Sequence, residues 1–214
     1  MKQKNVGFQG VTESINSAPS LYKNFIKLKR LVYNDTDIGI LEYVKGAHLI
    51  NIGSGPSLKM PHLELDLDAP ASITNLDLSF PYVKNIHQEN RDKKIFCLVA
   101  DVLHIPYRDK QFDVAFIPYV IHHVPGLPPD LLSEVARVTK KHIIVFDHIK
   151  SSQTLYRSVQ ENYWKIFDGG CNYQTESEWE TALKDFLIVK KVRTGALFSQ
   201  VIKLVLQVTP KNAG

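Results

Sequence analysis

The stretch His48–Ser57, HLINIGSGPS, limits what this chain can fold into more than any other. An apolar run of Leu49, Ile50 and Ile52 stops abruptly at Gly53-Ser54-Gly55, the pattern of a buried strand running into a glycine turn. With no side chain in the way, the backbone of such a turn can approach a ligand and aim its N–H groups at it. Two acids close later apolar runs, Asp77 in ITNLDLS and Asp101 in FCLVADV. Gly53 and Asp77 are 24 residues apart, as are Asp77 and Asp101, about one strand–crossover–strand unit each time. The spacing predicts the turn and both acids at the carboxyl ends of neighbouring parallel strands, where open α/β sheets bind ligands.

Further elements follow the same logic. Ile95–Ala100 and Val114–Ile117 read as third and fourth strands buried on both faces, and HIIVFDH (142–148) as the fifth. PPDLLSEVARVTK places Leu131, Leu132, Val135 and Val138 on one side of a helix that starts at proline. HLELDLD (62–68) also alternates like a strand and competes with ITNLDLS for second place. ITNLDLS is preferred because Asp77 lies one unit from each neighbouring motif, with Asp66 and Asp68 as the reserve acids. Residues 152–170 predict an amphipathic helix with Leu155, Val159, Tyr163 and Ile166 or Phe167 on a shared face, stopping at Gly169-Gly170. Thr175 and Glu178 have capping-box spacing ahead of a helix bearing Trp179, Ala182, Leu183 and Phe186. LIVKKVR and VIKLVLQV then read as two strands joined hairpin-fashion. Ahead of the first strand, Leu21, Phe25, Leu28 and Val32 have helical spacing, and a short helix over Asp37–Lys45 would close at Gly46.

At 214 residues and 44% hydrophobic composition the chain can bury one sizeable core. Its 26 basic and 22 acidic residues are well mixed, and a net +4 is too slight to argue for a nucleic-acid partner. No apolar stretch approaches the roughly 20 residues that span a bilayer, which speaks against a membrane protein. Cys97 and Cys171 are the only cysteines. Two free thiols without a signal peptide predict a cytoplasmic protein.

Four segments in order, INIGSGPS, NLDLS, LVADVLHIPYRDKQFDVAFIPYVIHHVPG and LLSEVARVTKKHIIVFDH, resemble the ordered motifs of class I S-adenosylmethionine-dependent methyltransferases of the "methyltransferase type 11" kind. The resemblance runs from about residue 46 to residue 148. It implies an α/β fold: a Rossmann-like doubly wound sheet, mostly parallel, of seven strands with an antiparallel last strand. Residues 1–214 would form a single domain, with 1–45 as a helical cap whose Tyr22 and Phe25 line the acceptor pocket and 46–214 as the core. It further implies S-adenosylmethionine as cofactor. Asp77 would accept from both ribose hydroxyls and Asp101 from the adenine amino group, while the Val102 N–H donates to an adenine ring nitrogen and Leu78 and Ile105 sandwich the base. Gly53, Ser54 and Gly55 would run against the methionine moiety, with Pro118 and Tyr119 at the same end.

Three departures carry meaning. Asn51 stands where the family carries Asp or Glu, so an amide can hydrogen-bond the ligand's ammonium but cannot balance its charge. Lys140-Lys141 replaces a proline–glycine turn and implies a different turn. No glycine occupies the sixth place of Gly53-Ser54-Gly55-Pro56-Ser57-Leu58, which weakens a dinucleotide fingerprint.

Methyl transfer needs alignment and water exclusion, and a base only when the nucleophile arrives protonated. His122, His123 and His148 are the candidate bases, since histidine titrates near neutral pH. No metal is expected, because His122, His123, Asp147 and His148 lack the i, i+4 spacing of a helical ligand set. Tyr156, Tyr163, Trp164 and Phe167 are candidates for a lid over an apolar or aromatic acceptor. The reading is a methyltransferase acting on a small molecule, at oxygen before nitrogen or carbon. Its rival is a homologue that binds the cofactor without methyl transfer, as a binding subunit or cyclising catalyst. Against a nucleic-acid substrate, IPYV stands where an Asn-Pro-Pro-aromatic motif would be needed. Oligomeric state is not legible.

Overall fold

A computed structural model of the chain describes residues 38–55, 69–90, 94–126, 128–167, 169–195 and 200–208. Tyr22, Phe25, Asp66 and Asp68 lie outside the described residues. The described chain opens with helix α1 (Ile40–Val44), and Gly46 follows it at φ 69°, the left-handed turn a helix end favours. Strands β1 (His48–Ile52), β2 (Ser72–Asp77), β3 (Ile95–Val99), β4 (Phe112–Pro118) and β5 (Thr139–Lys150) are parallel neighbours in the order β3-β2-β1-β4-β5. Helix α2 (Phe80–Glu89) connects β2 to β3, and α3 (Pro128–Val138) connects β4 to β5. After β5 come α4 (Thr154–Phe167), the two-residue β6 (Gln174–Thr175), α5 (Glu176–Ala182), β7 (Leu187–Thr194) and β8 (Val201–Gln207). The hairpin folds back so that β8 lies antiparallel between β5 and β7. The main ladder therefore has seven strands with only the last antiparallel, and β6 pairs with β5 beside it.

Alternation along each strand sorts the core onto two faces. Ile50, Ile52, Ala115, Ile117, Ile143 and Val145 pack with Leu131, Leu132, Val135 and Val138 of α3. Leu49, Val114, Phe116, Ile144 and Phe146 face the other way, toward Ile38, Ile40 and Val44. Each fully buried aliphatic side chain contributes roughly 1.5–3 kcal/mol, enough to fix the register of the central strands. Thr175 caps α5 in the reciprocal box that the sequence predicts, with its hydroxyl accepting from Glu178 N and its own N–H donating to Glu178 Oε2 at 2.6 Å.

Three expectations are corrected. The third strand is not buried on both faces: β3 is an edge strand with Phe96 53% and Val99 41% exposed. Lys140 and Lys141 form no turn, since α3 runs directly into β5 at Thr139, whose hydroxyl donates to Val135 O at 2.7 Å. The predicted buried face of α4 is rotated: Leu155 is 79% exposed and Val159 43%, while Gln160 and Trp164 are buried. The Gln160 amide accepts from Ser151 N at 2.7 Å and donates to Ile149 O at 3.3 Å. It closes the polar end of β5, a backbone need that outweighs two aliphatic side chains.

Candidate active site

The carboxyl ends of β1, β2 and β3 bring the predicted cofactor residues to one edge. Gly53 turns the chain at φ 60°, and a Cβ there would lie 2.3 Å from Val120 Cγ2, so this position admits no side chain. Ser54 N donates to Leu76 O at 3.1 Å and Gly55 N to Asp77 Oδ2 at 2.9 Å, which folds the turn back onto β2. Ser79 N donates to Asp77 Oδ1 at 2.8 Å. Burial raises the Asp77 carboxyl above its ordinary range, with the backbone donors of Ser79, Gly55 and Leu78 opposing. Ala100 N donates to Asp77 O at 3.1 Å, which sets Asp101 at the end of the next strand. Asp101 is half-exposed and accepts from Leu103 N at 2.9 Å. Leu78 is 75% exposed between the two acids in sequence, whereas Val102 and Ile105 are buried in the core.

The loop after Asp101 is tied down from α3. Arg137 donates to Ile105 O and Tyr107 O, each at 2.8 Å, and Glu134 accepts from Ile105 N at 2.7 Å. The Arg137 guanidinium in turn pairs with Glu134 and holds that carboxyl below its ordinary value. Neither residue was legible as site-forming, since both sit on a helix face that reads as solvated.

At the ends of β4 and β5 the candidate bases converge, but not equally. His122 and His148 are 1% and 2% exposed, while His123 faces solvent. His122 Nδ1 lies 2.5 Å from Asp147 Oδ1, and His148 N donates to the same oxygen at 2.6 Å. Burial alone would raise the Asp147 carboxyl, yet the His122 and His148 imidazoles and their hydrogen bonds hold it below its ordinary value. With Nδ1–H donating to Asp147, Nε2 carries the ring's acceptor lone pair. Tyr173 stacks on His122 at 5.0 Å between centroids and on Trp164 at 4.2 Å, so Trp164 is walled into this cluster rather than lying on a surface lid. Tyr156 is 38% exposed and Tyr163 half-buried; the Phe167 side chain lies outside the described residues. Gly170 is required beneath the stack, because a Cβ there would meet His122 Cδ2 and Tyr173 Oη at 2.5 Å. Pro118 is buried, and Tyr119 holds a left-handed φ of 57° while its N–H donates to Phe146 O at 2.7 Å. Such a conformation costs about 1–3 kcal/mol in a non-glycine residue and sets the Tyr119 ring 5.4 Å from that of His148. Among the described residues no three His, Cys, Asp or Glu side chains could hold a metal ion.

This arrangement can be compared with known proteins. Residues 50–146 match the family model described as a methyltransferase domain. Over that stretch the chain is similar to the class I S-adenosylmethionine-dependent methyltransferases. A demethylmenaquinone methyltransferase of Lactiplantibacillus plantarum is 22% identical over 130 residues, 58% of this chain and 54% of that protein. The chain thus spans about half or less of the length of the curated relatives it matches. A SAM-dependent methyltransferase of Methanosarcina mazei superposes with a TM-score of 0.65 at 18% identity, over 82% of this chain and 100% of that one. The [4+2]-cyclase SpnF has the same fold, with a TM-score of 0.62 at 15% identity over 85% and 80% of the two chains.

S-adenosylmethionine is the cofactor that goes with this family, and the residues present fit it. Gly55 N reaches Asp77 Oδ2 and Ser79 N reaches Oδ1, which leaves the carboxylate lone-pair capacity for a ribose hydroxyl. An apolar side chain, Leu78, stands exposed beside that carboxylate. At the glycine turn, Asn51 Oδ1 and Ser54 Oγ are buried without a hydrogen-bond partner, a state that a polar ligand would relieve.

Proposed function

We propose that this chain transfers a methyl group from S-adenosylmethionine to a hydroxyl oxygen of a small-molecule acceptor. The observation that carries the reading is the shared edge. The glycine turn, Asp77 and Asp101 stand at the ends of β1, β2 and β3, and the buried His122–Asp147 pair stands at the ends of β4 and β5. When bound, the cofactor supplies a methyl group activated on a sulfonium. Asp77 would hold the ribose, Asp101 and the Val102 N–H the adenine, and Gly53, Ser54, Gly55, Pro118 and Tyr119 the methionine end. His122 would take the hydroxyl proton at Nε2 as the new oxygen–carbon bond forms, with Asp147 fixing the tautomer and stabilising the imidazolium. His148 orients Asp147 through its backbone N–H, and exposed His123 is assigned no proton. The free thiols Cys97 and Cys171 favour a reducing, cytoplasmic setting, and no helix among the described residues is long and apolar enough to cross a membrane.

The test is methyl transfer from labelled cofactor to a panel of phenols, enols and amines. Turnover on hydroxyl acceptors that falls at least about 100-fold in His122→Asn supports the assignment. Turnover on amines alone, or a His122→Asn enzyme as fast as the parent, contradicts it. The rival without transfer is favoured by one feature, neutral Asn51 at the turn. Cofactor binding with no turnover on any acceptor would select it.

A further inference from the structure

Asn51 and Asn75 are register partners on β1 and β2, and both side chains are fully buried. Their amides form a directed chain. Phe96 O, a backbone carbonyl of β3, can only accept, so the group 3.2 Å from it must be Asn75 Nδ2. That choice turns Asn75 Oδ1 toward β1, where it accepts from Asn51 Nδ2 at 3.0 Å. Asn51 Oδ1 is then the end of the chain, buried and without a partner, two residues before Gly53 on the same face of the strand. Ser54 Oγ, also buried and unpartnered, lies just past the turn.

We propose that Asn75 is a positioning residue that fixes the polarity of the ligand contact at the glycine turn, so that Asn51 presents a neutral acceptor oxygen and selects the ammonium over the carboxylate of the cofactor's amino-acid end. This rests on the cofactor reading above and deepens it. A carboxylate has no hydrogen to give, so Asn51 Oδ1 repels it and accepts from an ammonium N–H. With the amide reversed, the preference would reverse too. An acid at position 51 would achieve the same selection by charge; here a carbonyl of the edge strand imposes it through two amides.

Calorimetry separates the ideas, using S-adenosylhomocysteine, which carries the amino-acid end, and 5′-methylthioadenosine, which lacks it. Asn51→Leu is expected to weaken S-adenosylhomocysteine about tenfold, the size of one charged hydrogen bond, and to leave methylthioadenosine within about twofold. Asn75→Leu frees the Asn51 amide to rotate and should weaken S-adenosylhomocysteine about threefold to fivefold, again without touching methylthioadenosine. Asn75→Asp, as the neutral acid, still accepts from Asn51 Nδ2 while its O–H donates to Phe96 O, and should restore most of the loss. Because the two ligands are compared within each variant, a general loosening of the fold lowers both and is recognisable. The proposal is overturned if both ligands weaken together, if Asn75→Asp and Asn75→Leu behave alike, or if Asn51→Leu leaves S-adenosylhomocysteine unchanged. Failure of the unaltered protein to bind S-adenosylhomocysteine would overturn the cofactor reading itself, whereas tight binding with flat ligand ratios overturns the relay alone.

Discussion

At the β2 end of the sheet's carboxyl edge, Asp77 hydrogen-bonds only backbone N–H groups among the described residues; at the β5 end, Asp147 meets an imidazole as well. Both carboxylates are withdrawn from water, but they answer in opposite directions. Asp77 is raised above its ordinary value and Asp147 is held below it. A carboxylate that the fold leaves short of counter-charge is suited to donors arriving from outside, such as ribose hydroxyls. One whose oxygens are already taken by His122 and the backbone is suited to holding a partner in place. Asp77 keeps polar capacity for a ligand, while Asp147 spends its own on His122 and the backbone.

The largest effect should come from removing the internally satisfied carboxylate. Asp147→Ala leaves His122 buried without its partner and should cost about 3–5 kcal/mol, read from urea unfolding. Asp77→Ala should cost little stability but weaken S-adenosylhomocysteine about 10-fold to 100-fold, the loss of one or two charged hydrogen bonds, read by calorimetry. Arg137→Met releases Ile105 and Tyr107 from α3 and should lower stability by about 1–3 kcal/mol, with the amides of the loop after Asp101 exchanging faster.

The smallest and sharpest effect is one of sign. Stabilisation from Asp147, whose folded value is lowered, is fully present above its ordinary value near about 3.9 and is lost as pH falls through the folded one. For Asp77, whose folded value is raised, the reverse holds: a cost appears as pH rises through the folded value and is absent below the ordinary one. Asp147→Asn should therefore be less stable than the parent at pH 7, with the gap closing toward pH 3. Asp77→Asn should be equal or slightly more stable at pH 7, by no more than about 1 kcal/mol, and that gap should also close in acid. Urea midpoints across this range check both, and equal signs would dissolve the contrast between the halves.

Much of the β1–β2–β3 half was legible because its signals are local. A glycine pair cut short an apolar run, and even spacing put Asp77 and Asp101 one unit apart. The same 24-residue interval separates Asn51 from Asn75, so the amide relay was present in the sequence but carries no signal until the register pairs the two strands. The other half depends on contacts between distant segments. His122 meets Asp147 across β4 and β5, and Tyr173 and Gly170 close over His122 from beyond α4. Helical periodicity misread α4 because it scores Gln160 as a surface residue, whereas the end of β5 needs its amide.

Calorimetric titration of the unaltered protein and of Asp77→Ala with S-adenosylhomocysteine tests the central claim most directly. Saturable one-to-one binding by the parent, weakened at least about tenfold in the variant while the fold stays intact, is the predicted result. No binding by the parent, or equal affinity for both, would contradict the assignment of this sheet edge to an adenosyl cofactor.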